Sequence, residues 1–200
     1  NVSSNNQPVG WAGQSEENSQ LALEKAYEVG INHWDTADVY GNGVSEKIIG
    51  SMWQKISREK IFLATKVGWD MGTYNHWYNP KQMKINMERS LLKLKVDCVD
   101  LMYLHHCNFG KKDEYFDDAL NIIKIFQDEG KTRFIGLSDW SSNKIMKFID
   151  RVDPDVIQPY RNVMDDEYQA SGLKRYVEAN NIGVCFFSPI KHGLLTGKYK

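Results

Sequence analysis

The stretch NHWDTADVYGNGVSEKIIG, residues 32–50, sets Asp35 and Tyr40 five residues apart, where an apolar run ends and a helical pattern begins. Acids and tyrosines are common in loops, so this pair alone says little. Other apolar runs end in a similar way. IFLAT (61–65) leads into Lys66, CVDLMYL (98–104) into His105 and His106, and RFIGL (133–137) into Ser138 and Asp139. DVIQ (155–158) ends on Gln158, and IGVCFF (182–187) leads into Ser188. A lone lysine after a strand is usually solvated, and a lone histidine is usually structural. The recurrence over six runs is the signal, because a fold that gathers strand ends would bring these groups together. A phenol has a reference pKa near 10. An adjacent ammonium favours its phenolate form, and a carboxylate can hold that ammonium. Tyr40 with Lys66 and Asp35 would then be a usable proton donor near neutral pH, and His105 could orient a carbonyl oxygen. The set suits protonation of an oxygen that is gaining negative charge. Reduction of a carbonyl by hydride from a nicotinamide is such a reaction.

The elements that must position these groups alternate between two textures. INHWD (31–35) is the first of six short apolar runs, most of them apolar on both faces, as buried parallel strands are. Strand ends fall near 35, 66, 105, 138, 158 and 187. Between them lie helical patterns. Within Val44–Ile56, residues Ile48, Ile49, Met52, Trp53 and Ile56 make one apolar stripe, and Phe116, Ala119, Leu120, Ile123 and Phe126 make another. Ser15–Val29, Pro80–Leu94 and Ser141–Asp150 also read as helices. Pro80 suits a first turn, and Gly30 and Gly130 suit left-handed caps. Repeated strand and helix imply an α/β fold in one domain over residues 1–200, since no Pro- or Ser-rich linker divides the chain. An open doubly wound sheet and a closed (β/α)8 barrel compete. A nucleotide-binding open sheet should carry GxGxxG after its first strand. Gly41-Asn42-Gly43 lacks the third glycine, so it reads as turn chemistry.

Composition narrows the function classes. The 200 residues carry 25 basic and 26 acidic side chains, a net charge of −1, and 42% hydrophobic residues. This balance offers no nucleic-acid footprint and no basic membrane face. No apolar run reaches the roughly 18 residues of a membrane span. The terminal NVSSNNQPVG has no signal pattern and no initiator Met. Cys98, Cys107 and Cys185 are an odd set without CxxC spacing, which points to reduced thiols in or near the core and a cytoplasmic location. His105, His106, Cys107 and nearby aspartates could be read as metal ligands, but no i, i+4 histidine pair exists and adjacent strand residues diverge, so no metal is expected.

The chain resembles the aldo-keto reductase superfamily. The stretches that carry the resemblance are GINHWDTADVYGNGVSEKIIG, LATKVG, VDLMYLHH, FIGLSDWS and FFSPIKHGLLTGKY, which run in the family's order over most of the chain. The resemblance implies a (β/α)8 barrel and a nicotinamide cofactor, NADP(H) favoured and NAD(H) possible. It implies that Asp35, Tyr40, Lys66 and His105 are catalytic, His105 being the histidine five residues after Asp100. It places Ser138 and Asp139 on the nicotinamide amide, where the family usually has Ser-Asn; the aspartate loses a donor. Gln158 is expected on the same amide and Phe187 on the nicotinamide ring. Ser188, Pro189, Ile190, Lys191, Gly193 and Leu194 match the pyrophosphate loop, in keeping with phosphate sites after strands 7 and 8 of such barrels. GLLTGKYK is not a Walker A motif, having three residues between its glycines and Tyr199 where Ser or Thr is needed.

By the same resemblance the six strands are strands 2 to 7 of a barrel of roughly 300 residues, truncated at both ends. Strand 1 would precede Trp11, which NVSSNNQPVG does not resemble, and strand 8 would follow Lys200. The expectation is therefore a longer protein, strands supplied by another copy, or an inactive piece. GWDMGTYNHWYNP (68–80) gathers aromatics, with Trp69 and Trp77 as candidate walls of a substrate pocket; packing against the barrel end is the alternative. The expected function is reduction of a small-molecule aldehyde or ketone. The alternatives are a slow nicotinamide-binding regulatory subunit and a non-catalytic fragment. Substrate identity and oligomeric state lie outside these patterns.

Overall fold

The computed structural model describes residues 15–198. The expected strand before Trp11 and the Tyr199 position fall outside the described residues. The chain packs as two compact units, residues 15–103 with 109–133 and residues 104–108 with 134–198.

The first unit opens with α1 (Glu16–Glu28), capped by Ser15, whose side chain accepts from the Asn18 amide. Gly30 follows at φ +87°, as a left-handed cap requires. β1 (His33–Asp35) pairs in parallel with β2 (Phe62–Val67), Asp35 lying opposite Ala64. β3 (Val99–Leu104) follows β2 in sheet order and is buried at every position. Helices separate the strands: α2 (Val44–Ser51), α3 (Pro80–Leu94) and α4 (Phe116–Asp128). The pattern over Val44–Ile56 predicts one helix, but α2 stops at Ser51 and a 3-10 turn, Met52–Gln54, follows. There the Trp53 indole donates to the Leu94 carbonyl at 2.6 Å and stacks on Trp34. In α4, Ile122 is buried where the sequence pattern favours Leu120.

α3 begins where its sequence says it should, with Asn79 accepting from the Lys81 amide and Pro80 in the first turn. It buries an apolar stripe of Met83, Met87, Leu91 and Leu94. It also buries a polar stripe of Gln82, Asn86 and Ser90, spaced four apart. Buried polar side chains on one helix face need partners, and these are found around the candidate site.

The second unit holds most of β4 (Thr132–Asp139), then α5 (Ser142–Val152), β5 (Val156–Pro159), α6 (Glu167–Ala170), α7 (Leu173–Ala179) and β6 (Gly183–Val184). β4, β5 and β6 are parallel neighbours. The expected strand over Ile182–Phe187 is regular only at Gly183–Val184, and Pro159 is the reason. Amides of Gly183, Cys185 and Phe187 donate to the carbonyls of Asp155, Ile157 and Pro159. The return bond at 159 needs an N–H that proline lacks. α6 and α7 are too short for periodicity to reveal them. Among the described residues no helix is long and apolar enough to cross a membrane.

In the first unit Asp100 ties three segments together. Its carboxylate accepts from the Arg58 guanidinium at 2.8 Å, the Leu63 amide at 2.9 Å and the Arg133 guanidinium at 2.8 Å. Burial works to raise its pKa, but these donors win and hold it below the usual aspartate value. A carboxylate with a depressed folded pKa stabilises above its unfolded pKa and loses that contribution as pH falls through the folded value. Asp100→Asn should therefore cost about 1.5–3 kcal/mol at pH 7, with the difference from the parent shrinking below about pH 4. Urea unfolding at several pH values checks both the size and the direction.

Candidate active site

In the first unit, parallel pairing of β1 and β2 brings Asp35 and Lys66 to the same end of neighbouring strands. Lys66 is 1% exposed. Its ammonium donates to Asp35 Oδ2 at 2.5 Å and to the Thr36 carbonyl at 2.6 Å. It also lies 5.0 Å from the Tyr40 ring centroid and 5.9 Å from that of Tyr103. Burial pushes the Lys66 pKa down, but the Asp35 carboxylate and the Tyr40 phenol outweigh it and hold it above the ordinary lysine value. The amine is thus kept charged. Tyr40 follows on a short segment whose Gly41, Asn42 and Gly43 all adopt positive φ, and Gly43 starts α2. The segment is anchored by the bond from the Asp38 amide to the Lys66 carbonyl at 3.4 Å and from the Thr36 hydroxyl to Ser45 at 2.8 Å. Asp35, Tyr40 and Lys66 are therefore brought together.

Behind this segment lies a polar network whose one faint trace in the sequence is an aspartate between Ala37 and Val39. Asp38 is 2% exposed and Glu46 is fully buried. The Thr65 hydroxyl donates to Glu46 at 2.9 Å. Asp70 is bound by Arg89 at 2.6 Å, and Arg89 also reaches Asn86 at 2.9 Å. Gln82 and Asn86, from the polar stripe of α3, complete the chain of bonds to the Asp70 carbonyl. Burial pushes Asp38 up to about 8; Glu46 and Asp70 add to this, while Arg89 and Lys93 oppose it. Glu46 is raised by burial against hydrogen bonds from Ser90 and Thr65.

The aromatic loop 68–80 divides its side chains. His76 stacks on Tyr115 at 4.1 Å, and Tyr78 is fully buried against Phe109. Trp69, 38% exposed, stacks on Trp77 at 6.5 Å. Packing thus accounts for His76 and Tyr78 and leaves the two tryptophans as a partly exposed pair.

β3 ends before His105 and His106, so strand alternation does not send them apart: their rings stack, with centroids 6.3 Å apart. His105 is half-buried. His106 is buried and accepts from the Asn108 amide at 3.2 Å. The chain leaves the strand direction because the Cys107 amide donates to Asp139 at 2.7 Å. The other Asp139 oxygen accepts from the Ser141 amide at 2.8 Å. Asp139 therefore serves two backbone amides, a task the amide of an asparagine could not fully share. The Ser138 hydroxyl donates to the Gln158 carbonyl at 2.9 Å, and Gln158 is buried. Burial and the Asp139 carboxylate push the Cys107 thiol well above the usual cysteine value; all three cysteines are free.

Phe187 belongs to an aromatic group. It meets Trp140 edge-on at 4.9 Å and Tyr160 at 5.5 Å, while Trp140 stacks on His192 at 5.5 Å. The following residues curl: Ser188, Lys191, His192 and Gly193 all have positive φ, and the Gly193 and Leu195 amides both donate to the Ile190 carbonyl. Pro189, Ile190 and Leu194 are exposed along this curl. Trp140 and Tyr160 carry no site role in the sequence reading, and His192 figures there only within the stretch that matches the pyrophosphate loop; their grouping around Phe187 depends on contacts distant in sequence. Among the described residues no group of three or more His, Cys, Asp or Glu is placed to hold a metal ion.

The profile of the Aldo/keto reductase family matches residues 5–200. An aldo-keto reductase of Schizosaccharomyces pombe whose name carries NADP(+) is 31% identical over 195 residues, covering 93% of this chain and 56% of that protein. A probable voltage-gated potassium channel subunit beta of Arabidopsis thaliana is 30% identical, covering 88% of this chain and 56% of that protein. The holo form of aldo-keto reductase AKR11C1 from Bacillus halodurans superposes with a TM-score of 0.79 at 27% identity, covering 92% of this chain and 61% of that one. The chain thus spans a little over half the length of the curated relatives it matches.

The Asp35–Lys66 pair makes a prediction of its own. Asp35→Asn leaves a buried ammonium short of its carboxylate and should cost about 1–3 kcal/mol in urea unfolding at pH 7. Adding Lys66→Met to Asp35→Asn should restore part of that loss, because the stranded charge is gone. A double variant less stable than Asp35→Asn alone would contradict this account.

Proposed function

The chain belongs to the aldo/keto reductase family, and on that footing we propose that it is an NAD(P)H-dependent reductase of an aldehyde or ketone, reversible toward the alcohol. The observation that carries this reading is the buried Lys66 ammonium, bonded to Asp35 and set 5.0 Å from the ring of Tyr40. In the reductive direction Tyr40 gives its phenolic proton to the carbonyl oxygen. Lys66, held by Asp35, keeps a fixed positive charge beside the phenolate that remains, and so stabilises charge where it develops. His105 orients the carbonyl oxygen.

A nicotinamide, when bound, supplies the hydride. Phe187 would stack on its ring, while Ser138, Asp139 and Gln158 would lie on its amide side. Ser188, Pro189, Ile190, Lys191, Gly193 and Leu194 would form the pyrophosphate loop. That assignment rests on the matching stretch FFSPIKHGLLTGKY; the amides of Lys191, Gly193 and Leu195 are bonded within the curl, to the Ser188 and Ile190 carbonyls. Because Asp139 is occupied by backbone amides, we assign it to shaping the site more than to donating to the cofactor. NADP(H) is the preferred form of the cofactor over NAD(H), in line with the NADP(+) in the name of the Schizosaccharomyces pombe relative.

Trp69 and Trp77 would wall the substrate side. The six strands are read as part of a (β/α)8 barrel, working in the cytoplasm on a small-molecule carbonyl. A second reading, a nicotinamide-binding regulatory subunit with slow turnover, is favoured by the channel-subunit relative.

Loss of reduced-nicotinamide absorbance with NADPH and an aromatic aldehyde tests the proposal. Tyr40→Phe should lower turnover by about 10²–10⁴-fold while NADPH binding, followed by tryptophan fluorescence, changes little. Equal turnover in parent and variant would remove Tyr40 from its role. Tight NADPH binding without turnover in the parent would favour the regulatory subunit.

A further inference from the structure

The Asp38 carboxyl is the most anomalous polar group in the first unit. It is 2% exposed, and neither of its oxygens has a hydrogen-bond partner. A carboxylate in that position would have left water without compensation, which disfavours its charged form far more than its neutral one. The charged groups around it do not supply the compensation. Glu46 on α2 and Asp70 after β2 repel a charge on Asp38. Arg89 and Lys93 on α3 attract one, but Arg89 is already bonded to Asp70 and Asn86. Asp35, Lys66 and Tyr40 are the charged and titratable groups of the flanking segments, and Lys66 is already committed to Asp35 and the Thr36 carbonyl. Three acids against two bases leave room for one retained proton, and Asp38 has the fewest partners with which to give it up.

Its place in the chain gives that proton a consequence. The Asp38 amide is bonded to the Lys66 carbonyl, and the next turn runs from the Ala37 carbonyl to the Tyr40 amide at 3.1 Å. The network also touches the far end of the same turn. A Cβ on Gly43 would lie 1.8 Å from the Lys93 amine, so the Lys93 side chain is packed directly against that residue. The segment bearing Tyr40 is therefore bonded at the Asp38 amide to the Lys66 carbonyl, and packed at Gly43 against Lys93, whose ammonium also acts on Asp38.

We propose that Asp38 is a positioning residue for Tyr40, that its carboxyl carries a proton while the Thr36–Gly43 segment is seated, and that losing this proton unseats the tyrosine. This rests on the assignment of Tyr40 as proton donor for its catalytic meaning, but the coupling between the two side chains can be tested without turnover. The folded state keeps a proton that the unfolded chain has released above about pH 4, so folding stability falls as pH rises toward 8, where Asp38 ionises, and levels off above it.

The experiment is a pH titration of the protein labelled with ¹³C at aspartate Cγ and tyrosine Cζ, with resonances assigned from Asp38→Asn and Tyr40→Phe. If Asp38→Asn does not fold, Asp38→Ser serves for assignment. The Asp38 signal should titrate several pH units above the other aspartates, and the Tyr40 signal should step at the same midpoint. In Asp38→Asn that step should vanish, and the melting temperature should fall less between pH 4 and pH 8 than in the parent. If the protein turns over aldehyde, the falling alkaline limb of kcat should move up in Asp38→Asn, whereas a merely structural role would lower kcat at every pH alike. A Tyr40 signal that does not move with Asp38, or that still steps in Asp38→Asn, would overturn the proposal. Absence of turnover together with the linked titration would instead sink the reductase reading and leave this coupling standing.

Discussion

A lysine ammonium taken almost wholly out of water is the constraint around which the first unit is arranged. Lys66 is tolerable at 1% exposure because Asp35 and the Thr36 carbonyl both accept from it and Tyr40 lies beside it. Those acceptors come from the end of β1 and the residue after it, so the register of β1 on β2 is fixed by electrostatics as well as by apolar packing. The turn that follows must then leave β1 sharply, and its backbone is tied to Lys66 again through Asp38. The tyrosine is placed by what the lysine requires.

The second unit meets a related demand with a carboxylate. Asp139 spends both oxygens on the amides of Cys107 and Ser141. One bond ends the strand-like course of the chain after β3, and the other helps start α5. This explains how a buried carboxylate can sit there without leaving its oxygens unsatisfied. The aromatic group of Trp140, Tyr160, Phe187 and His192 lies just beyond, on elements these bonds help to fix.

Much of this was legible in the sequence, for specific reasons. Asn79-Pro80 marked the start of α3, and Ser15 marked that of α1, because capping chemistry is local. The apolar runs marked β1 to β5 because buried parallel strands have few polar interruptions. Asp35, Tyr40 and Lys66 could be grouped because each stands at or near a strand end. What was missed depends on partners distant in sequence. β6 is shortened by a proline on the neighbouring strand. The course of the chain after the two histidines is set by a carboxylate 32 residues downstream of Cys107. Asp38 looks like any loop aspartate until α2 and α3 close over it, and the polar stripe of α3 interrupts what periodicity alone would call a surface face.

The turn after Tyr40 has a bearing on how this sequence can drift. Gly41, Asn42 and Gly43 carry no reactive group, yet all three hold backbone angles that most side chains resist. At Gly43 a side chain would also have to push the end of the Lys93 side chain aside. Exposed neighbours such as Val44 and Lys47 face no such restriction. Across descendants of this chain, the narrowest range of substitution should thus fall on residues with no reactive group of their own, because they decide how the neighbouring tyrosine is presented.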